Sequence, residues 1–308
     1  MKKKTLKVKS WKEHKGPVVV RVDSFDVIEC RECQFKHLIP FPDEKELDKE
    51  YSIDYYTKIK PDYFERQKED LKWWNLVYLE RLQRLEKLLP KSKRRMLDVG
   101  SGPGFFVKFA KKRGWDVVGL EPSLAATAYA NKMGAKTVAG FFTQQAVKDL
   151  GKFDVIHMQG VMEHMQNPKA AVEDVYKLLN KGGLFCTVVA NDFNPIQDVL
   201  MNHLKFKPWW VVPSEHINYF SIDSLKKLVE RGSLNVANVI TTFPIDLFLL
   251  MGDNYVGNDR IGRESHGRRK NIEFALAESG NQAFKEKLYK SFAENNIGRD
   301  IELITQKK

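Results

Sequence analysis

The sequence has no long hydrophobic run. Its longest apolar stretches, such as Leu247-Phe248-Leu249-Leu250-Met251, fall far short of the ~18–20 residues a membrane-spanning helix needs. It has only three cysteines, Cys30, Cys33 and Cys186, too few for a disulfide scaffold, so a reducing, cytoplasmic compartment is the expected setting. The basic N-terminus has no hydrophobic segment behind it, which argues against a secretory signal. Internal repeats and low-complexity linkers are missing, and collagen-like and disordered classes are excluded. What remains is a chain of 308 residues, 43% hydrophobic and 30% charged, rich enough in apolar residues for a sizeable core and long enough for one large or two ordinary domains.

The net charge of +11 invites a nucleic-acid reading, but the excess is local. Residues 1–21 hold eight basic side chains (Lys2, Lys3, Lys4, Lys7, Lys9, Lys12, Lys15, Arg21) against Glu13, whereas the rest of the chain has 43 basic and 39 acidic residues. A basic arm of this kind suits RNA, anionic lipid or plain solvation, and a solvated tail is the expectation. No DNA partner is expected, and RNA is the lesser reading.

Residues 17–29 alternate enough for short strands, and Pro40 and Pro42 mark a loop. Tyr51, Tyr55, Tyr56 and Tyr63 stud the next segment. From residue 64 to 89, Leu71, Trp74, Tyr78, Leu82 and Leu85 recur at helical spacing until Pro90, so one long helix is predicted, with Trp73 and Trp74 in packing roles. Beyond it strands and helices alternate. Strands are expected at 96–99, 115–120, 136–139, 153–158 and 184–190, with helices at 105–113, 124–133 and 168–179. That alternation predicts a doubly wound α/β fold with a parallel sheet covered on both faces. A helix at 222–230 and strands at 235–241 and 300–305 continue it. Two insertions, 191–221 and 242–298, interrupt the order, the second with a polar loop at 252–270. Loops of that length are usually lids or binding elements.

The chemistry-bearing motif is Leu97-Asp98-Val99-Gly100-Ser101-Gly102-Pro103-Gly104, which follows a strand and opens a helix. Glycines there allow tight turns and close approach of backbone to a ligand, and the helix start offers free N–H groups. A dinucleotide fingerprint needs a small residue where Phe105 stands, so the spacing is D-x-G-x-G-x-G instead. Asp98 would repel a pyrophosphate and favour a cationic amino-acid moiety. Glu121, ending the next strand before Pro122, is placed to accept both hydroxyls of a ribose. The pair suits an adenosyl ligand with an amino-acid tail and no phosphates.

At these residues the chain resembles the class I S-adenosylmethionine-dependent methyltransferases. Further matches are Phe153-Asp154-Val155-Ile156, the Glu163-His164…Pro168 segment, Lys181-Gly182-Gly183-Leu184, and Glu215-His216-Ile217-Asn218-Tyr219-Phe220. These resemble the small-molecule branch, similar to quinone-biosynthesis and sugar or surface-polysaccharide methyltransferases. The resemblance covers roughly residues 72–242 plus the last strand. It implies a Rossmann-like sheet of seven strands with the last antiparallel, and S-adenosyl-L-methionine as cofactor. Asp98, Gly100, Ser101, Gly102, Gly104, Glu121 and Pro122 would surround that cofactor. One of Phe141 and Phe142 would flank adenine unless both are core, and Gln159 would line the methionine end.

The implied division is a basic arm and degenerate zinc-ribbon-like segment over 1–60, and a methyltransferase core over 61–241 and 299–308 with 191–221 as a substrate-side insertion. Residues 242–298 would form a substrate insertion or lid over the cofactor edge. The acceptor is expected to be a small molecule, a hydroxyl of a sugar, glycolipid precursor or related metabolite. His216 and His164 are the candidate bases, because imidazole titrates near neutrality. His164 also reads as organising a helix start, and His157 as a satisfied core histidine.

Arg260, Arg263, His266, Arg268, Arg269 and Lys270 cluster in the second insertion, where they suit either a phosphate or carboxylate on the acceptor or simple solvation. Trp209-Trp210-Val211-Val212 suits a lipid interface, an apolar acceptor pocket or buried packing. Cys30-x2-Cys33 resembles half of the zinc ribbon preceding some sugar methyltransferases. The first cysteine pair is missing, His14 and His37 are candidates to substitute for it, and a metal-free remnant is the favoured reading over a zinc site. Rival functions are an RNA methyltransferase, which lacks an N-P-P-[YF] signature here, and a non-catalytic cofactor-binding scaffold.

Overall fold

A computed structural model describes residues 7–308. Residues 8–39, within the expected basic arm and ribbon segment, are not a tail. Strands β1 (Val8–Trp11), β2 (His14–Val22), β3 (Phe25–Glu29) and β4 (Lys36–Ile39) form an antiparallel meander, completed by a fifth strand from far downstream. Two of its basic residues are spent locally: Lys9 and Arg21 both engage the buried Asp26, Arg21 Nε at 2.8 Å. Lys2, Lys3 and Lys4 lie outside the described residues.

Helix α1 (Glu44–Lys49) starts on Asp43, whose carboxylate accepts the N–H groups of Lys45 and Glu46. A π-helical stretch, Glu50–Ile59, continues it. The single helix predicted over 64–89 is two, α2 (Tyr63–Glu69) and α3 (Leu71–Leu88). They part at Asp70, whose carboxylate receives His266 and Lys270 from the C-terminal insertion, a tertiary tie that local periodicity cannot register.

The core follows the expected alternation: β5 (Arg95–Val99), α4 (Phe105–Lys112), β6 (Asp116–Glu121), α5 (Leu124–Lys132), β7 (Thr137–Ala139), α6 (Gln144–Val147), β8 (Phe153–Gln159), α7 (Pro168–Leu178) and β9 (Leu179–Ala190). Then come α8 (Pro195–Asn202), β10 (Asn218–Tyr219), α9 (Ile222–Arg231), β11 (Leu234–Thr241), α10 (Leu247–Leu250), α11 (Asp259–Glu278), α12 (Gln282–Glu294) and β12 (Asp300–Lys307). The main sheet runs β11-β12-β9-β8-β5-β6-β7, with β12 antiparallel to both neighbours and the pairs from β9 to β7 parallel. This is the seven-stranded, Rossmann-like arrangement implied by the resemblance. β5 leads outward to β6 on one side and β8 lies on its other side, so a crevice opens at their carboxyl ends, the place where such sheets bind ligands.

The second insertion departs from expectation. Most of the predicted polar loop is the start of α11, and its basic groups are paired: Arg260 with Glu264 (2.8 Å), Arg268 with Asp253 (2.5 Å), Arg269 with Glu273 (3.2 Å), His266 and Lys270 with Asp70. Trp73 is buried and donates from Nε1 to Glu273 at 2.8 Å, which docks α11 on α3. Among the described residues, none of 242–298 lines the large crevice. The expected lid and phosphate clamp are therefore corrected: most of these charges are paired within the insertion, and His266 and Lys270 tie it to Asp70. The first insertion packs its Trp210 with Val27, Leu38 and Tyr219, forming the core of the N-terminal sheet rather than an exposed lipid-facing patch.

Candidate active site

The crevice is a cavity of about 900 Å3, within the usual range for ligand sites. The glycine loop after β5 reaches it at Gly100. Gly100, Gly102 and Gly104 have φ of +69°, +52° and +77°, a region that side-chain-bearing residues rarely occupy. A Cβ on Gly104 would sit 2.6 Å from the Cβ of Ala135, so Gly104 also lets α4 start against the α5 layer.

Glu121 ends β6, nearly fully buried. Its Oε2 accepts the Gly102 N–H at 2.8 Å and its Oε1 the Ser123 N–H at 3.0 Å. One lone pair on each oxygen remains for a diol. Burial pushes this carboxyl up to about 7, against the pull of the two backbone donors.

Of the residues singled out by sequence, Gly100, Glu121, Pro122, Phe141, Phe142, Gln159, His164 and His216 line the cavity. Phe141 is 37% exposed, while Phe142 also packs on the core. Asp98, Ser101, Gly102 and Gly104 are not among the lining residues. Ser101 sits behind the loop, its hydroxyl 2.4 Å from where a Cβ on Gly119 would be. Asp98 is a correction to the expected contact with a cationic amino group. It is buried and its Oδ1 is 2.6 Å from His157 Nδ1. His157 in turn meets Arg81 NH1 at 3.2 Å, and the same guanidinium donates to Gln159 Oε1 at 2.5 Å and Glu302 Oε2 at 2.8 Å. His157 is thus the satisfied core histidine the sequence predicts, and Gln159 reaches the cavity held by its carbonyl oxygen.

The roof comes from a segment the sequence reading passed over. Tyr51, Tyr55, Tyr56 and Tyr63, on and around the π-helical stretch, all line the cavity. Tyr56 sits over the glycine loop, its hydroxyl 3.1 Å from where a Cβ on Gly102 would be. Four tyrosines in thirteen residues was the available signal.

The opposite wall of the cavity is built by stitching two segments together. The Ile217 N–H donates to the Glu163 carbonyl at 2.9 Å, and the Asn218 amide donates to the carbonyls of Met162 (3.0 Å) and Met165 (2.6 Å). Polar atoms of Glu163, His164 and His216 consequently lie within 4.8 Å of one another. His164 Nδ1 contacts the Glu215 carbonyl and the Tyr51 hydroxyl, the latter at 2.8 Å. A carbonyl only accepts, so Nδ1 carries a proton. Burial and the neighbouring His216 push the His164 value down to about 3. His216 moves the other way. Burial opposes its charging, but Asp192 and Glu163 outweigh burial and raise it above the ordinary imidazole value. Asp192 Oδ2 lies 3.8 Å from His216 Nδ1, and Arg299 approaches Asp192 Oδ1 at 3.5 Å. Asp192, just past the end of β9, was legible only as a carboxylate at a strand's carboxyl end. Glu163, deeply buried beside them, is pushed up to about 7 by burial, against the pull of His216.

Residues 68–239 match a family model described as a methyltransferase domain. Over 161 residues the chain is 27% identical to a ubiquinone biosynthesis O-methyltransferase of Psychrobacter cryohalolentis, covering 50% of this chain and 56% of that protein. It is 26% identical to the C-methyltransferase NovU of Streptomyces niveus over 47% of this chain and 34% of that one. The chain thus spans about half the length, or less, of these curated relatives. A solved S-adenosylmethionine-dependent methyltransferase from Archaeoglobus fulgidus superposes with a TM-score of 0.48 at 17% identity, covering 80% of this chain and 99% of that one.

Proposed function

The chain belongs to the class I S-adenosylmethionine-dependent methyltransferases, and from that premise we propose that it methylates a hydroxyl of a small ring-shaped acceptor, with His216 as general base. The observation that carries this reading is His216, backed by Asp192, at the acceptor side of a cavity roofed by four tyrosines.

The chain's residues fit the cofactor. The loop at Gly100 and Gly102 leaves a backbone cradle that side chains would fill, and Glu121 keeps a lone pair on each oxygen for the two ribose hydroxyls. Phe141 is placed to flank the adenine, and the Gln159 amide N–H groups, left free by Arg81, suit the methionine carboxylate. When bound, the sulfonium supplies the methyl electrophile for an in-line displacement. The protein aligns donor and acceptor and excludes water, which the tyrosine roof supports. His216 takes the acceptor's proton while Asp192 steadies the imidazolium that forms. Neutral His164, held by Glu215 and Tyr51, is a positioning residue.

Gly102→Val is expected to weaken S-adenosylhomocysteine binding at least tenfold, about 1.4 kcal/mol. A β-branched residue at φ +52° is strained, and its methyls enter the space beneath Tyr56. Calorimetric affinity equal to wild type would remove the loop from the cofactor site.

A second expectation concerns pH. Ribose hydroxyls bond best to ionised Glu121, which holds its proton up to about 7. Affinity for S-adenosylhomocysteine should therefore rise between about pH 6 and about pH 8, with proton release on binding, and flatten in Glu121→Gln. For folding the sign reverses. Glu121 and Glu163 are raised from 4.5 to about 7, so their contribution is full below 4.5 and is lost as pH rises through about 7. A pH-independent affinity in the wild type would contradict the ribose role.

The acceptor is tested by following S-adenosylhomocysteine formation with nucleotide-linked sugars and dihydroxybenzoates, both of which offer rings that pack on tyrosine faces. Turnover with a hydroxyl acceptor, lost in His216→Gln, is expected. Turnover confined to amine or carbon acceptors would overturn the oxygen assignment.

A further inference from the structure

We propose that His14, Cys30, Cys33 and His37 hold a tetrahedral zinc ion that staples the N-terminal sheet to the acceptor side of the active site. The four residues all fall between positions 14 and 37 and converge from two strands and a turn. His14 opens β2, Cys30 and Cys33 bracket the turn between β3 and β4, and His37 lies within β4. One ligand atom from each lies within 4.8 Å of the others. His14 Nδ1 is 3.3 Å from Cys33 Sγ and 3.7 Å from Cys30 Sγ. A tetrahedral zinc with bonds of about 2.3 Å to sulfur and about 2.0–2.1 Å to nitrogen separates a sulfur from a nitrogen ligand by about 3.6 Å. The side chains are thus already at ligand spacing.

A separate observation points the same way. His37 Nδ1 is 2.8 Å from the Leu38 carbonyl, which can only accept, so Nδ1 carries the proton. Its Nε2 is then a bare lone pair. That atom is fully buried and has no hydrogen-bond partner among the described residues. A buried, pre-oriented imidazole lone pair without a donor wants a cation, and an Nδ1–H held by a carbonyl is the usual outer support of a metal-bound histidine. Cys30 Sγ receives the Cys33 N–H at 3.5 Å, a contact that favours thiolate. The Glu13 carboxylate stands 3.6 Å from His14 Nε2, on the side of the ring away from the sulfurs.

The surroundings close the site. The Phe41 ring lies 5.2 Å from that of His14 and 5.1 Å from that of His37. Arg231 on α9 donates to the carbonyls of Glu32 and Cys33 at 3.3 and 3.2 Å, pinning the turn to the core. Two thiolates and two imidazoles with tetrahedral spacing select zinc among common divalent ions, and four protein ligands leave no open position, so the role is structural. The spacing alone favoured a metal-free remnant because the first cysteine pair is missing. The geometry shows two histidines in its place.

The site acts on the acceptor side through one strand pair. His37 faces Asn218 across the β4–β10 ladder, and the Leu38 N–H donates to the Ile217 carbonyl at 2.9 Å. His216 immediately precedes Ile217. Metal loss is therefore expected to loosen the His216 segment and leave the glycine loop unchanged.

The test is elemental analysis of the full chain, purified without a metal-affinity tag and dialysed, with S-adenosylhomocysteine titration as the folding control. Close to one zinc per chain is expected, with most of it lost in Cys33→Ser and in His37→Gln while the cofactor analogue still binds. If those variants do not fold, Co2+ exchange into the wild type decides: the intense visible absorption of a tetrahedral cobalt–thiolate centre is expected. Wild-type protein that binds the analogue yet holds no zinc and takes up neither Zn2+ nor Co2+ would overturn the proposal. A Cys30–Cys33 disulfide in freshly purified protein would do the same.

Discussion

Glu302→Ala is expected to lower the stability of the fold by about 3–5 kcal/mol, the usual cost of orphaning a buried charge. Glu302 lies in β12, where the antiparallel last strand pairs with β9. Its side chain is 3% exposed and serves two guanidinium groups of α3, Arg81 at 2.8 Å and Arg84 at 2.6 Å. Arg81 is 2% exposed. Burial alone would raise the Glu302 carboxyl, but Arg84 and Arg81 overcome it and hold the group down at about 2. A carboxylate with a depressed value contributes stability that is present above 4.5 and lost as pH falls toward about 2. Glu302→Gln should keep the shape, lose most of this contribution, and flatten the acid limb of stability between those limits. The loss also reaches the site, because Arg81 is the group that holds Gln159 and, through His157, Asp98. Denaturant unfolding of the variants checks this. A Glu302→Ala protein within about 1 kcal/mol of wild type would show that the cluster is not what fixes α3 to the sheet.

The second large effect is chemical. His216→Gln is expected to lower kcat by about 10^2–10^4-fold, the range of a general base, while cofactor affinity stays near wild type. His216 is the imidazole whose surroundings favour the charged form, since Asp192 and Glu163 face it, so activity should rise with pH through a value above the ordinary 6.5. Asp192→Asn removes the strongest of those influences. It should move that limb to lower pH and reduce kcat by less than loss of the imidazole. His164→Gln tests the contrast. A histidine kept neutral, with its value near 3, gives no acid limb in the working range, so its replacement should alter acceptor KM more than the shape of the pH profile. A pH profile unchanged in His216→Gln would transfer the base to another group.

The turn proposed to hold the cofactor was legible from the chain. Strand-end residues such as Asp98 and Glu121, with glycines between them, announce a turn whose geometry is local, and the structure has it. The function given to Asp98 was not legible. Its partner His157 is 59 residues away, and only the β5–β8 pairing brings them together. The basic run of α11 misled for a related reason. Glu264 lies within the run, but the counter-charges of His266, Lys270 and Arg268, Asp70 and Asp253, lie outside it, so the run shows those cations without their partners. The roof was hidden because a π-helical stretch has neither of the periodicities that betray helices and strands, although its tyrosines were in plain view. The proposed metal-ligand set was visible as Cys30-x2-Cys33 with His14 and His37 as substitutes, but sequence spacing could not show that β2 and β4 flank that turn and bring the four side chains together.

The most direct measurement is a calorimetric titration of the full chain with S-adenosylhomocysteine, with NAD as control. Micromolar binding of the first alone, rising with pH through about 7 and weakened in Gly102→Val, is the predicted result. A folded protein that binds neither ligand, or binds NAD in preference, would contradict the assignment of the glycine loop and Glu121 to the adenosyl cofactor.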